Sequence, residues 1–178
     1  FRAPSTPEIY TLSLHDALPI YPIATTSSSI TISYSDVENG QDSIITNDNG
    51  TVTWGDGNID VDPRFVDEEN DDYHLLASSM LINAGHPDST DSDGTVADMG
   101  AYPYLNNYSG DNGWHVSNNG SDETGDGDGG APFASIQAGI NFAEDGDSVT
   151  VMVGTYVGNT NFRGRNIKIG RASCRERV

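Results

Sequence analysis

Across residues 29–35 the chain alternates: Ile30, Ile32 and Tyr34 are separated by small hydroxylated residues. A period of two puts these three side chains on one face, which predicts a strand with one buried side. A turn signal follows at Asn39 and Gly40. Short apolar pieces then recur at Ile44 and Ile45, at 52–54, at Ile59 and Val61, and at Phe65 and Val66, divided by Asn, Asp and Gly clusters. Many short apolar runs punctuated by glycine turns predict a mainly β architecture.

From residue 67 to 104 the pattern loosens into a short strand at 73–75, an apolar strand or turn at 80–85, and an Asp-rich loop. Residues 105–113 are polar and turn-rich and read as a linker. Organisation returns with a strand at 114–117, an acidic glycine loop at 118–130, and then one helix. Pro132 suits a first helical turn because its missing N–H has no partner there. Phe133, Ile136, Ile140 and Ala143 follow at helical spacing, and Gly146 stands where a left-handed cap is wanted. Val149, Val151 and Val153 then share one strand face, and Phe162 and Ile167 begin another strand. A helix followed by strands at near-regular intervals is the pattern of a solenoid whose first coil is capped by that helix.

The 178 residues hold 27 acidic and 8 basic side chains, a net charge of −19. Nucleic acids and anionic lipid surfaces are gripped through clustered Lys and Arg, so binding of DNA, RNA or membrane, and insertion into one, are not expected. The single cysteine, Cys174, leaves no local disulfide framework, thiol pair or Cys-ligated zinc. Abundant Asp, Asn, Gly, Ser and Thr with little Lys suit an extracellular or bacterial cell-surface protein.

Both ends stand apart from the patterned region. Residues 8–20 resemble one reading frame of a sequencing-library adapter, and residues 169–178 resemble its reverse complement, so 1–20 and 169–178 are expected to be adapter-derived. Three of the 27 acids and four of the 8 bases lie in these ends. The remaining 24 acids face only Arg64, Arg163, Arg165 and Lys168.

Residues 114–117, the Gly-Asp loop, 132–140, 146–149 and 154–156 together resemble the N-terminal cap and first coil of right-handed parallel β-helix proteins in the pectin-lyase-like superfamily. Residues 57–67, 72–75, 82–85 and 98–102 resemble the closing segment of the same architecture in large secreted bacterial repeat proteins. The resemblance implies a mainly β fold, built from fragments of a right-handed parallel β-helix with one short capping α-helix in the second half. It implies closing coils of a first β-helix at 21–104, a linker at 105–113, and the cap and first coils of a second at 114–168.

Closely spaced carboxylates around Gly94 make Asp91, Asp93 and Asp98 the candidate ligands of a Ca²⁺ ion, with an ordinary solvated Asp turn as the alternative. In an EF-hand register keyed to Gly94, the first position holds Ser89 and the twelfth Gly100, so the bidentate acid is missing. Asp122, Glu123, Asp126 and Asp128 form a second, more glycine-rich acidic loop. Asp71 and Asp72 are paired but sit in turn chemistry. His74, His86 and His115 are too scattered for a zinc motif. Trp54 and Trp114 could stack on sugars or fill a core. Pectate lyases that share the resembled fold use Ca²⁺ and a basic residue, and related hydrolases use clustered aspartates; no local constellation here matches either. The expected function is therefore a non-catalytic part of an extracellular bacterial β-helix protein, used for surface display, adhesion or contact with a polysaccharide or cell-surface glycan. The alternative is part of a polysaccharide lyase or glycoside hydrolase whose active coils lie elsewhere.

Overall fold

A computed structural model describes residues 28–44, 50–110 and 113–172. The chain forms two compact units that divide between Val61 and Asp62, each described here by itself. Residues 1–20 and 173–178, which hold most of the adapter-like sequence, lie outside the described residues, as does Ile45.

In the first unit, β1 (Ser28–Ile32) pairs in parallel with β2 (Gly50–Trp54), with Ile30 opposite Val52 and Ile32 opposite Trp54. The alternation that predicts a strand through residue 35 is interrupted because Tyr34 adopts φ 49°, in the left-handed region, and donates its N–H to Asp56 O at 3.0 Å. The turn is stitched by Asn58: its Nδ2 donates to Ile32 O at 2.8 Å and Gly55 O at 3.2 Å, and its Oδ1 accepts from Ser35 N at 3.1 Å. A parallel bridge between Asp36 and Ile59 completes the unit.

The second unit opens with an antiparallel pair, β3 (Phe65–Asp67) and β4 (Asp72–Leu75), joined by a 3-10 turn at Glu68–Asn70. Asp71 closes that turn in the left-handed region, φ 62°, which Asp tolerates better than most residues. The remaining strands form a parallel sheet ordered β5 (Trp114–Val116), β6 (Ser148–Val151), β7 (Lys168–Arg171). Parallel neighbours need a crossover, and α1 (Ile136–Phe142) supplies it between β5 and β6. Strand β7 straddles the 168/169 boundary suggested by the adapter-like sequence.

The helix starts later than its sequence pattern suggests. Ser135 is the N-cap, its Oγ accepting from Ala138 N at 3.2 Å. Pro132 and Phe133 precede the helix, and Phe133 instead forms a parallel bridge with Val116. The helix ends at Phe142, and Gly146, φ 97°, belongs to the next turn, where its N–H donates to Asn166 O. Arg165 closes the C-terminal end: Nη1 lies 2.7, 2.7 and 2.9 Å from the carbonyl oxygens of Ile140, Asn141 and Ala143. These are the carbonyls a helix end leaves without partners, and a cation favours that negative pole.

The core is aromatic. Phe133 is wholly buried and stacks on Phe142 (5.1 Å between centroids) and Trp114 (6.2 Å), while Tyr108 meets Trp114 edge-on at 5.3 Å. Trp114 and Val116 point inward with Val149, as β alternation requires. Each such fully buried side chain contributes roughly 1.5–3 kcal/mol relative to exposure. Residues 105–110, read as part of a linker, run against this core: Asn106 is buried, donating from Nδ2 to Asp126 O and from N to Asp93 Oδ2.

The expectation of a mainly β, right-handed parallel β-helix is not met. The described residues form a small mixed α/β fold with one α-helix and three separate sheets of two, two and three strands; none continues as a solenoid stack. The hairpin β3–β4 is antiparallel, and β6 ends at Val151, leaving Val153 65 % exposed instead of extending the Val149/Val151 face. Strand spacing along a chain says where strands form. It does not say which strand each one pairs with, and a solenoid is a statement about pairing.

Candidate functional site

The second unit holds a cleft of about 470 Å³, and two of its three walls are tied to α1 by one side-chain amide network. The first wall is the turn after β4, which carries Ser78 and Met80. This turn is anchored by its apolar neighbours, since Leu75, Ala77, Leu81 and Ile82 are all buried. Ser79 Oγ donates to Pro63 O at 2.5 Å and accepts from Leu81 N at 3.1 Å, which fixes the turn beside Arg64. Arg64, the second wall, has φ 55°. It is held there by Asp62 Oδ1, which accepts its N–H at 3.0 Å, and by Leu76 N, which donates to its carbonyl at 2.9 Å. The third wall is the loop 159–162.

Gln137, in the first turn of α1, forms the floor. Its Nε2 donates to Asn161 O at 3.1 Å and its Oε1 accepts from Asn161 N at 2.7 Å, so both ends of the carboxamide pin the loop. The same Nε2 donates to Asn141 Oδ1 at 2.9 Å, and Asn141 Nδ2 donates to Ala77 O and Ser79 O at 2.9 and 2.7 Å. Asn141 is wholly buried and all its polar atoms are satisfied, as a buried amide must be to be tolerated.

The lining combines neutral hydrogen-bonding groups (Ser78, Asn159, Thr160, Asn161), one cation (Arg64) and two apolar side chains (Met80, Phe162). In a chain with 27 acidic residues, none of the lining residues is Asp or Glu. Among the described residues Arg64 makes no ion pair. Such a mixture can hold a hydroxyl-rich, uncharged ligand by many hydrogen bonds over a small apolar contact.

The residues singled out from sequence lie elsewhere. Asp98 Oδ1 accepts from Asn83 N at 2.7 Å and Oδ2 from Tyr104 N at 2.8 Å. Asp91 Oδ2 accepts from Asp98 N at 2.9 Å. Asp93 Oδ1 accepts from Thr95 N and Oγ1, and its Oδ2 from Asn106 N. The three are brought into one loop, with backbone N–H groups as their chief partners. Burial pushes Asp98 up to about 6, aided by the charges of Asp91 and Asp93 and opposed by its two amide donors. Asp93 moves the other way: partial burial raises it, but hydrogen bonds from Asn106 N and Thr95 outweigh that and hold it below the usual carboxylate range. Among the described residues no three His, Cys, Asp or Glu side chains form a metal-holding group.

In the second acidic loop Asp122 Oδ1 accepts from Ala134 N and Ser135 N, leading into α1, and Asp126 and Asp128 brace their own turns. His74 Nδ1 lies 2.6 Å from Asp72 Oδ1, and its ring stacks on Tyr102 at 4.6 Å. That side-chain hydrogen bond lowers the Asp72 pKa. Trp114, 4 % exposed, is a core residue and offers no sugar-stacking face; Trp54 lies half-buried in β2. Residues of the cleft went unread as a site because they come from four separate segments. The one local signal was Gln137 and Asn141, two carboxamides at i and i+4 on a helix otherwise selected for apolar contact.

The architecture and cleft together define a small mixed α/β chain with a cleft lined by amide and hydroxyl residues, one arginine and two apolar residues. Comparison with protein-family models, with curated proteins and with solved structures returned no match. Among the described residues no helix is long and apolar enough to cross a membrane.

Proposed function

We propose that this chain is a non-catalytic part of an extracellular bacterial surface protein, and that it contacts glycans through the cleft between Arg64, Met80, Gln137 and the 159–162 loop. The observation that carries the reading is the exclusion of every carboxylate from the lining of that cleft in a chain of net charge −19. Support comes from the donors left over once the internal network is satisfied: the Arg64 guanidinium, the Asn159 and Thr160 side chains, and Asn161 Nδ2. Sugar hydroxyls and carbonyls accept from such groups. The lining holds no His, Cys or carboxylate that could exchange a proton near neutral pH, so its groups suit recognition better than acid–base chemistry. The acidic composition favours an uncharged partner over a polyanion.

The test is a panel of neutral and acidic oligosaccharides titrated against the whole chain, repeated with Arg64→Ala. Binding of at least one neutral oligosaccharide is expected, with affinity reduced about tenfold or more by the substitution, the loss of a hydrogen bond from a charged donor. Failure of every neutral oligosaccharide, or equal binding by Arg64→Ala, would falsify the assignment of this cleft.

A further inference from the structure

We propose that the Asp62–Pro63 peptide bond is a self-cleavage site, at which the chain hydrolyses in mild acid and parts its two compact units. It is the only Asp-Pro step in the sequence, and it follows directly on the division between the units, which falls after Val61. Proline makes this step unlike every other bond that follows an Asp in the chain. Its nitrogen carries no hydrogen, so no backbone hydrogen bond steadies it, and as a tertiary amide nitrogen it takes up a proton and departs more readily than a secondary one.

The turn is arranged around that bond. Asp62 Oδ1 accepts from Arg64 N at 3.0 Å, and the ring this hydrogen bond closes runs through the Asp62–Pro63 peptide itself, so the carboxyl group is folded back toward its own main chain. Both flanks are anchored. Val61 donates its N–H to Asp36 Oδ1 at 3.1 Å within the first unit, while Pro63 O accepts from Oγ of the wholly buried Ser79 and Arg64 O from Leu76 N at 2.9 Å within the second. Asp62 itself is exposed, so water reaches it. Arg64, just past the step, is held in the strained left-handed region at φ 55° and is free to relax once Asp62 departs. In the reaction the protonated Asp62 carboxyl attacks the main-chain carbonyl carbon of Asp62 through Oδ2. The new O–C bond closes a cyclic anhydride, the C–N bond to Pro63 breaks, and the carboxyl proton passes to the proline nitrogen. Water then opens the anhydride, leaving Asp62 as a new C-terminus with two carboxyl groups and Pro63 as a new N-terminal amine. The charged groups around the step are Asp60 and Arg64 along the chain and Asp36 across the Val61 hydrogen bond. Scission consumes the acid form of Asp62, so it quickens as pH falls.

The experiment incubates the whole chain at pH 4 and pH 7, folded and in parallel unfolded in urea, and follows its mass with time. At pH 4 the folded chain is expected to give fragments 1–62 and 63–178 about tenfold or more faster than the unfolded chain, because the turn holds carboxyl and peptide together. Scission at pH 7 is expected to be slower. Asp62→Asn keeps an acceptor for Arg64 N but has no carboxyl proton to give, and Pro63→Ala restores the poorer leaving group. Each is expected to slow the reaction about tenfold or more, with circular dichroism at pH 4 checking the fold. Absence of a fragment ending at Asp62, a rate in the folded chain no greater than in urea, a rate no greater at pH 4 than at pH 7, or scission undiminished in Asp62→Asn would each overturn the proposal. If a variant unfolds, the comparison of folded with unfolded unaltered chain decides alone.

Discussion

Asp98 shows how one residue type serves opposite ends in one loop. Its carboxylate accepts two backbone N–H bonds, which favour the charged form, yet burial near Asp91 and Asp93 outweighs them and the group titrates near 6. The folded state therefore holds this proton more tightly than the unfolded chain, whose Asp titrates near 3.8. Stability from this group is fully present below about pH 4 and declines as pH rises through 6, by a total on the order of 3 kcal/mol. Urea melts at pH 4 and pH 7 should show the loss, and Asp98→Asn should flatten it. An equally steep decline in the variant would assign the pH dependence to other groups. The Asp cluster around Gly94 was visible in the sequence, but the partners of its oxygens were not: Asn83, Tyr104 and Asn106 reach it from other turns.

At the scale of elements, α1 shows where local chemistry ends and packing begins. A glycine inside a helix costs roughly 1 kcal/mol against alanine, so Gly139 has no local justification. Its reason is β6: a Cβ at position 139 would lie 2.7 Å from Val149 Cγ1 and 3.1 Å from Val116 Cγ2. The helix sits this close because it carries no side chain there. Gly139→Ala should destabilise the second unit despite its better helix propensity, by about 1–3 kcal/mol as an overpacked contact. Chemical denaturation checks this, and a neutral or stabilising result would mean that the helix and sheet can separate without cost. The sequence pattern predicted one helix in this region and the strands on either side of it. It mistook the start, because Pro132 and Phe133 fit a first helical turn equally well, and Phe133 was claimed by Val116 and the aromatic cluster. The caps, Ser135 and Arg165, have the chemistry expected of them, but Arg165 reaches the helix end from beyond β6.

For the chain as a whole, charge is the dominant bulk property. Among the described residues, Arg163 donates to Ile82 O and Asn83 O and Arg165 to the carbonyls of α1, so these two cations are spent on backbone. Burial pulls Arg163 down to about 10, with the nearby charge of Arg165 adding to the effect and Asp98 opposing it. Self-repulsion among unpaired carboxylates falls as salt shortens the screening length, from about 30 Å at 0.01 M to about 8 Å at 0.15 M. The melting temperature should therefore rise by several degrees, about 1 kcal/mol of stability, over that range. An unchanged or falling melting temperature would show that the acids are already locally compensated.

What the sequence by itself determined was short-range: strand segments at 52–54 and 73–75, a strand read at 114–117 that ends at Val116, one helix read from Pro132 to Ala143 that spans Ile136–Phe142, turn positions at Asn, Asp and Gly, and a net charge that disfavours anionic partners. Each of these depends on the period of apolar residues or on the conformational freedom of single residues, and both are local. Only the tertiary structure decided which strands pair, that β3 and β4 run antiparallel, that the fold is a small mixed α/β arrangement and not a β-helix, and that a cleft is assembled from Arg64, the turn after β4, α1 and the 159–162 loop. Pairing and cleft formation depend on contacts between residues as far apart as Arg163 and Ile82, whose meeting is set by how the core closes and not by any spacing along the chain.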